Sequence, residues 1–213
     1  MEIELEGKSL AHQYGPGRGL EPLSFSLSGP GVVAVTGPNG SGKSTLLRIL
    51  AGLLRPSAGA STLRVEGREF QRAERRQVTG WASPDLHFYG ELTVRENLEF
   101  AAEARGLTGR SVAVREVVGS VGLTSRLDDR AAALSTGMHQ RLRLAFALLG
   151  SPPILLLDEP GSHLDAAGKG HLVEVLTRLR ATTRVVLATN DPGERDLAEQ
   201  SIALAGRGLG DTA

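Results

Sequence analysis

The sequence predicts an α/β fold with a mainly parallel sheet, an antiparallel β region at its N-terminus and an inserted α-helical subdomain. Three apolar runs of four residues are interpreted as buried strands, because each is too short for a helix: 32–35, 154–157 and 185–188. Helical periodicity appears between the runs, over 44–53 and 138–149 before the second run and over 171–179 before the third. Strands that alternate with helices indicate βαβ units and therefore a parallel sheet.

Two further segments complete this prediction. The first thirty residues alternate in polarity and are rich in Gly and Pro, which is typical of antiparallel strands, and 62–65 is expected to extend them. A helical stretch then covers roughly 92–134, where Thr93 and Glu96 have the spacing of a capping box. A second helix in it is marked by valines at i, i+3, i+4 and i+7, which are Val114, Val117, Val118 and Val121.

Composition limits the class of protein. The chain has 213 residues, 40% hydrophobic and 23% charged, so a single globular domain over 1–213 is expected, with the helical subdomain at about 92–134 and a frayed Gly-rich tail at 206–213. The formal net charge of zero disfavours a nucleic-acid partner. There is no cysteine, which excludes disulfides and thiolate metal sites. The acidic start at 1–6 and the absence of a long apolar run predict a cytoplasmic chain without a signal peptide.

A glycine-rich loop follows the first predicted buried strand and opens a predicted helix. It matches G-x-x-x-x-G-K-[ST] in full, and its residues are Gly37, Pro38, Asn39, Gly40, Ser41, Gly42, Lys43, Ser44 and Thr45. Glycines let backbone N–H groups approach phosphate oxygens at the positive end of a helix. Lys43 adds a charge for the β and γ phosphates, and the Ser44 hydroxyl is placed to ligate Mg²⁺. The loop therefore predicts a P-loop NTPase core that binds a nucleoside triphosphate.

An acidic pair follows the second predicted buried strand. Asp158 is the expected partner of Mg²⁺, because this ion prefers hard oxygen ligands and ligands lie at the carboxyl edge of a parallel sheet. Glu159, one residue further, is placed to polarise an attacking water as general base. The alternative is that the pair only caps a helix.

With these residues in place, the chain resembles the ATP-binding-cassette (ABC) family over nearly its whole length. The discriminating segment is 134–141, which is similar to the family's LSGGQ-x-Q-R signature with Thr136 for the first Gly and Met138 for Gln. Ser135 and Gly137 begin a predicted helix and so form a second anion site, although a plain helix N-cap would look the same. The resemblance implies a head-to-tail dimer, in which the signature residues Ser135, Thr136, Gly137 and Met138 close on the partner's ATP.

The resemblance assigns roles to two more residues. Tyr14 matches the aromatic residue that stacks on adenine, with partly buried packing as the alternative. Asp165 matches the loop that crosses to the partner subunit, with a turn residue as the alternative.

Two positions depart from the family pattern. The segment 80–86 contains no Gln where the family has one, and Ser83 or Asp85 takes its place. Asn190 stands where the family has a His on the γ phosphate; its amide can donate a hydrogen bond but cannot carry a proton near neutral pH. We therefore expect slow hydrolysis, with Glu159 and Asn190 as the catalytic residues.

The resemblance implies an ATP-binding subunit of an ABC transporter that hydrolyses ATP with Mg²⁺, as a homodimer or heterodimer, against a separate transmembrane permease. It would lie peripherally on the cytoplasmic face of the membrane. Segments 89–98 and 137–142 are similar to small export-type and haem-exporter-like cassettes, so export is the expected direction. Two alternatives are a nucleotide-gated regulatory module with little turnover and a soluble ABC ATPase without a permease.

Overall fold

A computed structural model describes residues 1–107 and 114–205 of the chain, so the expected fraying of 206–213 lies outside the described residues. In this part the chain forms two sheets. The strands are β1 (Ile3–Gly15), β2 (Arg18–Ser28), β3 (Gly31–Thr36), β4 (Ala58–Val65), β5 (Arg68–Glu69), β6 (Thr79–Ala82), β7 (Ile154–Asp158), β8 (Arg184–Ala188) and β9 (Gln200–Ala203). The α-helices are α1 (Lys43–Leu50), α2 (Val94–Ala104), α3 (Val114–Ser120), α4 (Thr136–Leu148), α5 (Ala166–Leu179) and α6 (Pro192–Arg195).

A parallel sheet with the order β6-β7-β8-β3-β9 forms the centre of the fold. The three strands predicted from apolar runs are its inner strands β7, β8 and β3, which confirms the α/β class. In register, Ala188 of β8 lies beside Val35 of β3 on one side and Asp158 of β7 on the other. The carboxyl ends of these strands therefore meet at one edge of the sheet, where ligands bind in open α/β folds.

The N-terminal strands form a separate antiparallel sheet with the order β2-β1-β4-β5, as predicted. Alternate residues of the parallel strands enter two apolar clusters. Leu155 and Leu157 pack with α2 to α5, while Ile154 and Leu156 pack with α1, β1 and β2. Since successive side chains of a strand point to opposite faces, the parallel sheet is covered on both faces.

Helix α1 ends earlier than predicted. It stops at Leu50 because Gly52 adopts a φ of 77°, and the N–H groups of Leu53 and Leu54 both return to the carbonyl of Arg48. This is a glycine-terminated helix end. The prediction that Leu53 belongs to the apolar face of this helix is wrong, since Leu53 is 60% exposed.

The helical stretch begins with the predicted capping box at α2. The Thr93 hydroxyl accepts from the N–H of Glu96, and the Glu96 carboxylate accepts from the N–H of Thr93. Helix α3 contains three of the four valines, and residues 108–113 of the stretch lie outside the described residues. The division of the chain into one domain with a helical subdomain at 92–134 stays a prediction. Across the described ranges, none of the helices has the length and apolar character needed to cross a membrane.

Candidate active site

The glycine-rich loop connects β3 to α1 at the carboxyl edge of the parallel sheet. Gly40 and Gly42 adopt φ values of 81° and 101°, which only glycine adopts without strain. A Cβ at Gly42 would lie 2.8 Å from the carbonyl oxygen of Gly19, so β2 also requires glycine there. Gly42 is the N-cap of α1 and no side chain caps the helix. The first N–H groups of α1 are thus left for an anion.

Lys43 lies inside the loop and not in solvent. Its side chain is buried, and Nζ donates to the carbonyl of Gly37 at 2.7 Å and to that of Pro38 at 3.3 Å. The carbonyl groups of the loop therefore hold the ammonium group within the loop.

Asp158 ends β7 and is 5% exposed. Burial raises the pKa of its carboxyl above the ordinary value, while a hydrogen bond from the Ser44 hydroxyl opposes this shift. Ser44 and Asp158 are thus adjacent, and both offer hard oxygen atoms. This donor pair fits Mg²⁺, which takes one or two protein ligands and fills its other positions with phosphate oxygens and water.

Glu159 follows Asp158 with its side chain exposed. Its backbone adopts a φ of 48°, and its N–H donates to the carbonyl of Ala188 at 2.9 Å. For a residue other than glycine, a left-handed backbone conformation costs roughly 1–2 kcal/mol and is typical of functional sites. It turns the chain so that Glu159 borders the phosphate-loop cavity.

That cavity has a volume of about 450 Å³. Its lining includes Tyr14, Gly19, Gly40, Lys43, Ser44, Thr45 and Glu159. Tyr14 is 52% exposed and meets His12 edge to face at 4.5 Å between ring centroids. An exposed aromatic ring at the mouth of a phosphate site is suited to stacking on a base.

Asn190 lies on the other side of the loop, just after β8. Its Nδ2 donates to Oδ1 of Asn39 at 2.9 Å. With its amide turned over, Asn190 instead donates to the carbonyl of Gly37 at 2.8 Å and accepts from Nζ of Lys43 at 3.3 Å. In either orientation its polar end is directed at the phosphate loop.

The signature residues lie at the start of α4, apart from that cavity. Ser135 is the N-cap, and its hydroxyl accepts from the N–H of Met138 at 3.3 Å. Ser135 and Thr136 are exposed, and a Cβ at Gly137 would lie 2.9 Å from the carbonyl oxygen of His163. The helix start is therefore open to solvent. Closure of this site on a partner's nucleotide stays a prediction.

Asp165 has contacts within the chain. It is the N-cap of α5, where its carboxylate accepts from the N–H of Gly168 at 2.8 Å and pairs with Arg141. These contacts hold the loop after Glu159 against α4. The role of Asp165 at a dimer interface stays a prediction.

The structure distinguishes the two residues that stand where the family has Gln. Ser83 is buried directly after β6, whose last residue pairs with Leu157, so Ser83 lies next to Asp158 along the sheet edge. Asp85 is exposed and forms an ion pair with Arg48 of α1. Ser83 is thus the one of the two at the edge itself.

The sequence assigned no role to two buried polar residues at this edge, one of which lies in the signature segment 134–141. Gln140 of α4 and Glu194 of α6 are 4% and 7% exposed, and both contact the loop after Glu159. Their burial follows from the assembled fold, so the sequence alone carries no signal that would have found them.

Comparison with known proteins agrees with this geometry. The family model described as ABC transporter matches residues 20–162. The chain is 35% identical to the macrolide export ATP-binding/permease protein MacB 1/2 of Paracoccus denitrificans, over 95% of this chain and 32% of that protein. It is 37% identical to the molybdenum import ATP-binding protein ModC of Aromatoleum aromaticum, over 91% and 54%.

Solved structures agree as well. An ATP-binding subunit of an ABC transporter superposes with a TM-score of 0.82 at 29% identity, covering 94% of this chain and 85% of that one. A dimeric ATP-binding cassette in a post-hydrolysis state with ADP and Pi superposes with a TM-score of 0.81 at 25% identity, covering 94% of both chains.

The chain belongs to the ABC transporter family and has the fold of that family's ATP-binding cassettes. It spans about a third of the macrolide exporter and about half of the molybdenum importer.

Proposed function

We propose that this chain is the ATP-binding subunit of an ABC transporter, which binds and hydrolyses ATP in a head-to-tail dimer to drive transport through a separate membrane permease. The observation that carries the proposal is the grouping of Lys43, Asp158 and Glu159 at one sheet edge. Phosphoryl transfer requires positive charge on the phosphates, oxygen ligands for a metal and a group that orients water, and these three residues supply them.

In this proposal each chain contributes two parts: one binds the chain's own nucleotide, and the other closes on the nucleotide of the partner chain. Tyr14 contacts the base, and the loop from Gly37 to Thr45 binds the phosphates through N–H groups and Lys43. Ser44 and Asp158 hold Mg²⁺, which when bound neutralises charge on the phosphate oxygens. Glu159 polarises the attacking water, while Asn190 donates an amide hydrogen bond toward the terminal phosphate.

The partner chain completes the site in this proposal. The N–H groups at the exposed start of α4, with Ser135, Thr136, Gly137 and Met138, bind the terminal phosphate of the partner's nucleotide. Asp165 lies in the loop that reaches the dimer interface. The pair is a homodimer or contains a second cassette chain.

Coupling to a permease places the cassette on the cytoplasmic face of the membrane. The matched relatives include an export and an import protein by name, so family membership does not give the direction. Similarity of 89–98 and 137–142 to haem-exporter-like cassettes supports export. Copurification of a multi-spanning membrane protein with this chain from native membranes tests for the permease. If no such protein copurifies, a soluble ABC ATPase is favoured.

A second candidate is a nucleotide-gated module with little turnover. It is favoured by Asn190, which cannot carry a proton, and by the absence of Gln from 80–86. The two functions share nucleotide binding and differ in turnover.

Light scattering on the Glu159→Gln variant tests the dimer. With ATP and Mg²⁺ we expect the mass to double from the 22.4 kDa of one chain, because the closed state accumulates when hydrolysis stops. The exposed Glu103→Gln variant is the matched control and should not accumulate a dimer. A Glu159→Gln variant that binds ATP and stays monomeric would contradict the head-to-tail dimer.

A further inference from the structure

Glu194 is a buried carboxyl that the proposed reaction does not use. It lies in α6, four residues after Asn190, and is 7% exposed. Within 1–107 and 114–205, its Oε2 atom is buried and finds no hydrogen-bond partner. It lines a cavity of about 350 Å³ together with Glu159 and Asn190. A buried polar atom without a partner beside a reaction site requires an explanation.

The carboxyl joins two loops. A Cβ at Gly161 would lie 1.9 Å from Oε1 of Glu194, so the carboxyl occupies the space that a side chain at Gly161 would take. The N–H of Gly161 and the hydroxyl of Thr189 both form hydrogen bonds with it. Thr189 is fixed in turn, since its Oγ1 accepts from the N–H of Asp191 at 2.9 Å. Glu194 thus connects the loop after Glu159 to the loop that carries Asn190.

The surroundings favour the neutral acid. Burial raises the pKa of the Glu194 carboxyl above its ordinary value of 4.5, the hydrogen bond from Thr189 opposes the shift, and the charge of Asp191 adds to it. Among the charged groups, Lys169 of α5 favours ionisation but is held by Asp191 at 2.8 Å. Glu159 and His163, from the loop after β7, line the same cavity.

We propose that Glu194 is a positioning residue which, as the neutral carboxylic acid, ties the loop after Glu159 to the loop that carries Asn190. The proposal deepens the proposed ATPase function and rests on it for its effect on turnover. Ionisation of Glu194 would place a second carboxylate in the cavity of about 350 Å³ that Glu159 and Asn190 also line. In the proposed function this is the side of the site where phosphate oxygens carry negative charge. Turnover should therefore fall as Glu194 ionises.

The first test compares wild type with Glu194→Gln, which keeps the shape and cannot ionise. A carboxyl whose pKa is raised in the folded state contributes stability that is present at low pH and lost as the pH rises through that pKa. The urea midpoint of Glu194→Gln relative to wild type should therefore rise between about pH 5 and about pH 8.5. The infrared band of a protonated carboxyl should be present in wild type at the lower pH and missing from the variant. A difference in urea midpoint that stays constant over this pH range, together with the same infrared band in wild type and in Glu194→Gln, would overturn the proposal.

The second test uses the contact with Gly161. Gly161→Ala should lower the urea midpoint strongly in wild type and little in a Glu194→Ala background, because the shorter side chain frees the space for the new Cβ. Gly170→Ala is the matched control, since a Cβ there meets nothing within 4 Å. Equal losses for Gly161→Ala in both backgrounds would contradict the contact between the two loops.

Turnover separates this proposal from the proposed function. With MgATP, wild-type kcat should fall at least about threefold toward alkaline pH, while Glu194→Gln loses this dependence. An identical pH profile in both proteins would overturn the positioning role. Wild type without any turnover would contradict the proposed ATPase function, and the urea and infrared results would still decide whether Glu194 is a neutral link.

Discussion

The side chain of Gln140 holds the backbone of Glu159. Its Nε2 donates to the carbonyl of Glu159 at 3.1 Å and to that of Pro160 at 3.0 Å, and its Oε1 accepts from Nη1 of Arg143 at 2.9 Å. Helix α4, which begins with the signature residues, is thus tied directly to the proposed general base. A shift of α4 on dimer closure would move the backbone of Glu159 with it.

Replacing Gln140 should affect turnover more than binding. Gln140→Leu leaves the buried carbonyl of Pro160 and the part-buried carbonyl of Glu159 without their donor, which costs about 1–3 kcal/mol of folding stability. We expect kcat for ATP to fall while KM changes little, because the phosphate loop is not contacted by this side chain. Urea unfolding and steady-state kinetics measure the two effects. The exposed Gln77→Leu variant is the control, and a Gln140→Leu enzyme with wild-type kcat would contradict the link.

Asn190→His should raise turnover. A histidine at this position adds a group that can be protonated close to the phosphate loop, where the amide of Asn190 only donates a hydrogen bond. We expect an increase in kcat of roughly tenfold, measured as phosphate release at saturating MgATP. Asn190→Ala, which removes the hydrogen bond, should lower kcat. If Asn190→Ala and wild type give the same rate, the amide of Asn190 has no part in turnover.

Gly52→Ala tests the end of α1. A side chain at Gly52 is strained by the φ of 77° and would place its Cβ 2.2 Å from the carbonyl oxygen of Arg72. Gly67, with a φ of 73° and nothing within 4 Å, shares the strain without the clash. Gly67→Ala should cost about 1 kcal/mol and Gly52→Ala clearly more, as measured by urea unfolding. Equal losses would show that Arg72 moves away without cost.

Asp165 should contribute to stability in a pH-dependent way. The N–H of Gly168 and the Arg141 guanidinium lower the pKa of its carboxyl below the ordinary value of 3.8. Since the folded state favours the charged form, this stabilisation is present above pH 3.8 and is lost as the pH falls through the lowered pKa. The difference in unfolding midpoint between wild type and Asp165→Asn should therefore shrink on acidification. A difference that is constant down to acid pH would rule out this cap.

Much of the parallel sheet could be predicted from apolar runs, because β3, β7 and β8 are buried on both faces. Strand β6 could not, since its sequence Thr79-Gly80-Trp81-Ala82 has no such run. Its glycine is explained only by packing: a Cβ at Gly80 would lie 2.0 Å from the carbonyl oxygen of Ala147 in α4. Helix α5 begins five residues before the predicted start, because Gly168 and Gly170 weaken the helical pattern while Asp165 caps the first turn.

The candidate site, like the fold, could be predicted from the sequence only in part. The phosphate loop and the acidic pair are contiguous motifs whose chemistry follows from residue type, and the fold places them at one edge. Gln140 and Glu194 act across long separations in sequence, on the carbonyl of Glu159 and on Gly161, so no local pattern gives their partners. Their burial is a property of the assembled fold.

Steady-state ATPase activity of the purified chain, beside its Glu159→Gln variant, tests the central claim most directly. With saturating MgATP we expect measurable phosphate release from wild type and from the Glu103→Gln control. Release should fall at least about a hundredfold in Glu159→Gln, while nucleotide binding is retained. Equal rates in wild type and Glu159→Gln would contradict the claim that the edge formed by Lys43, Asp158 and Glu159 is the hydrolytic centre.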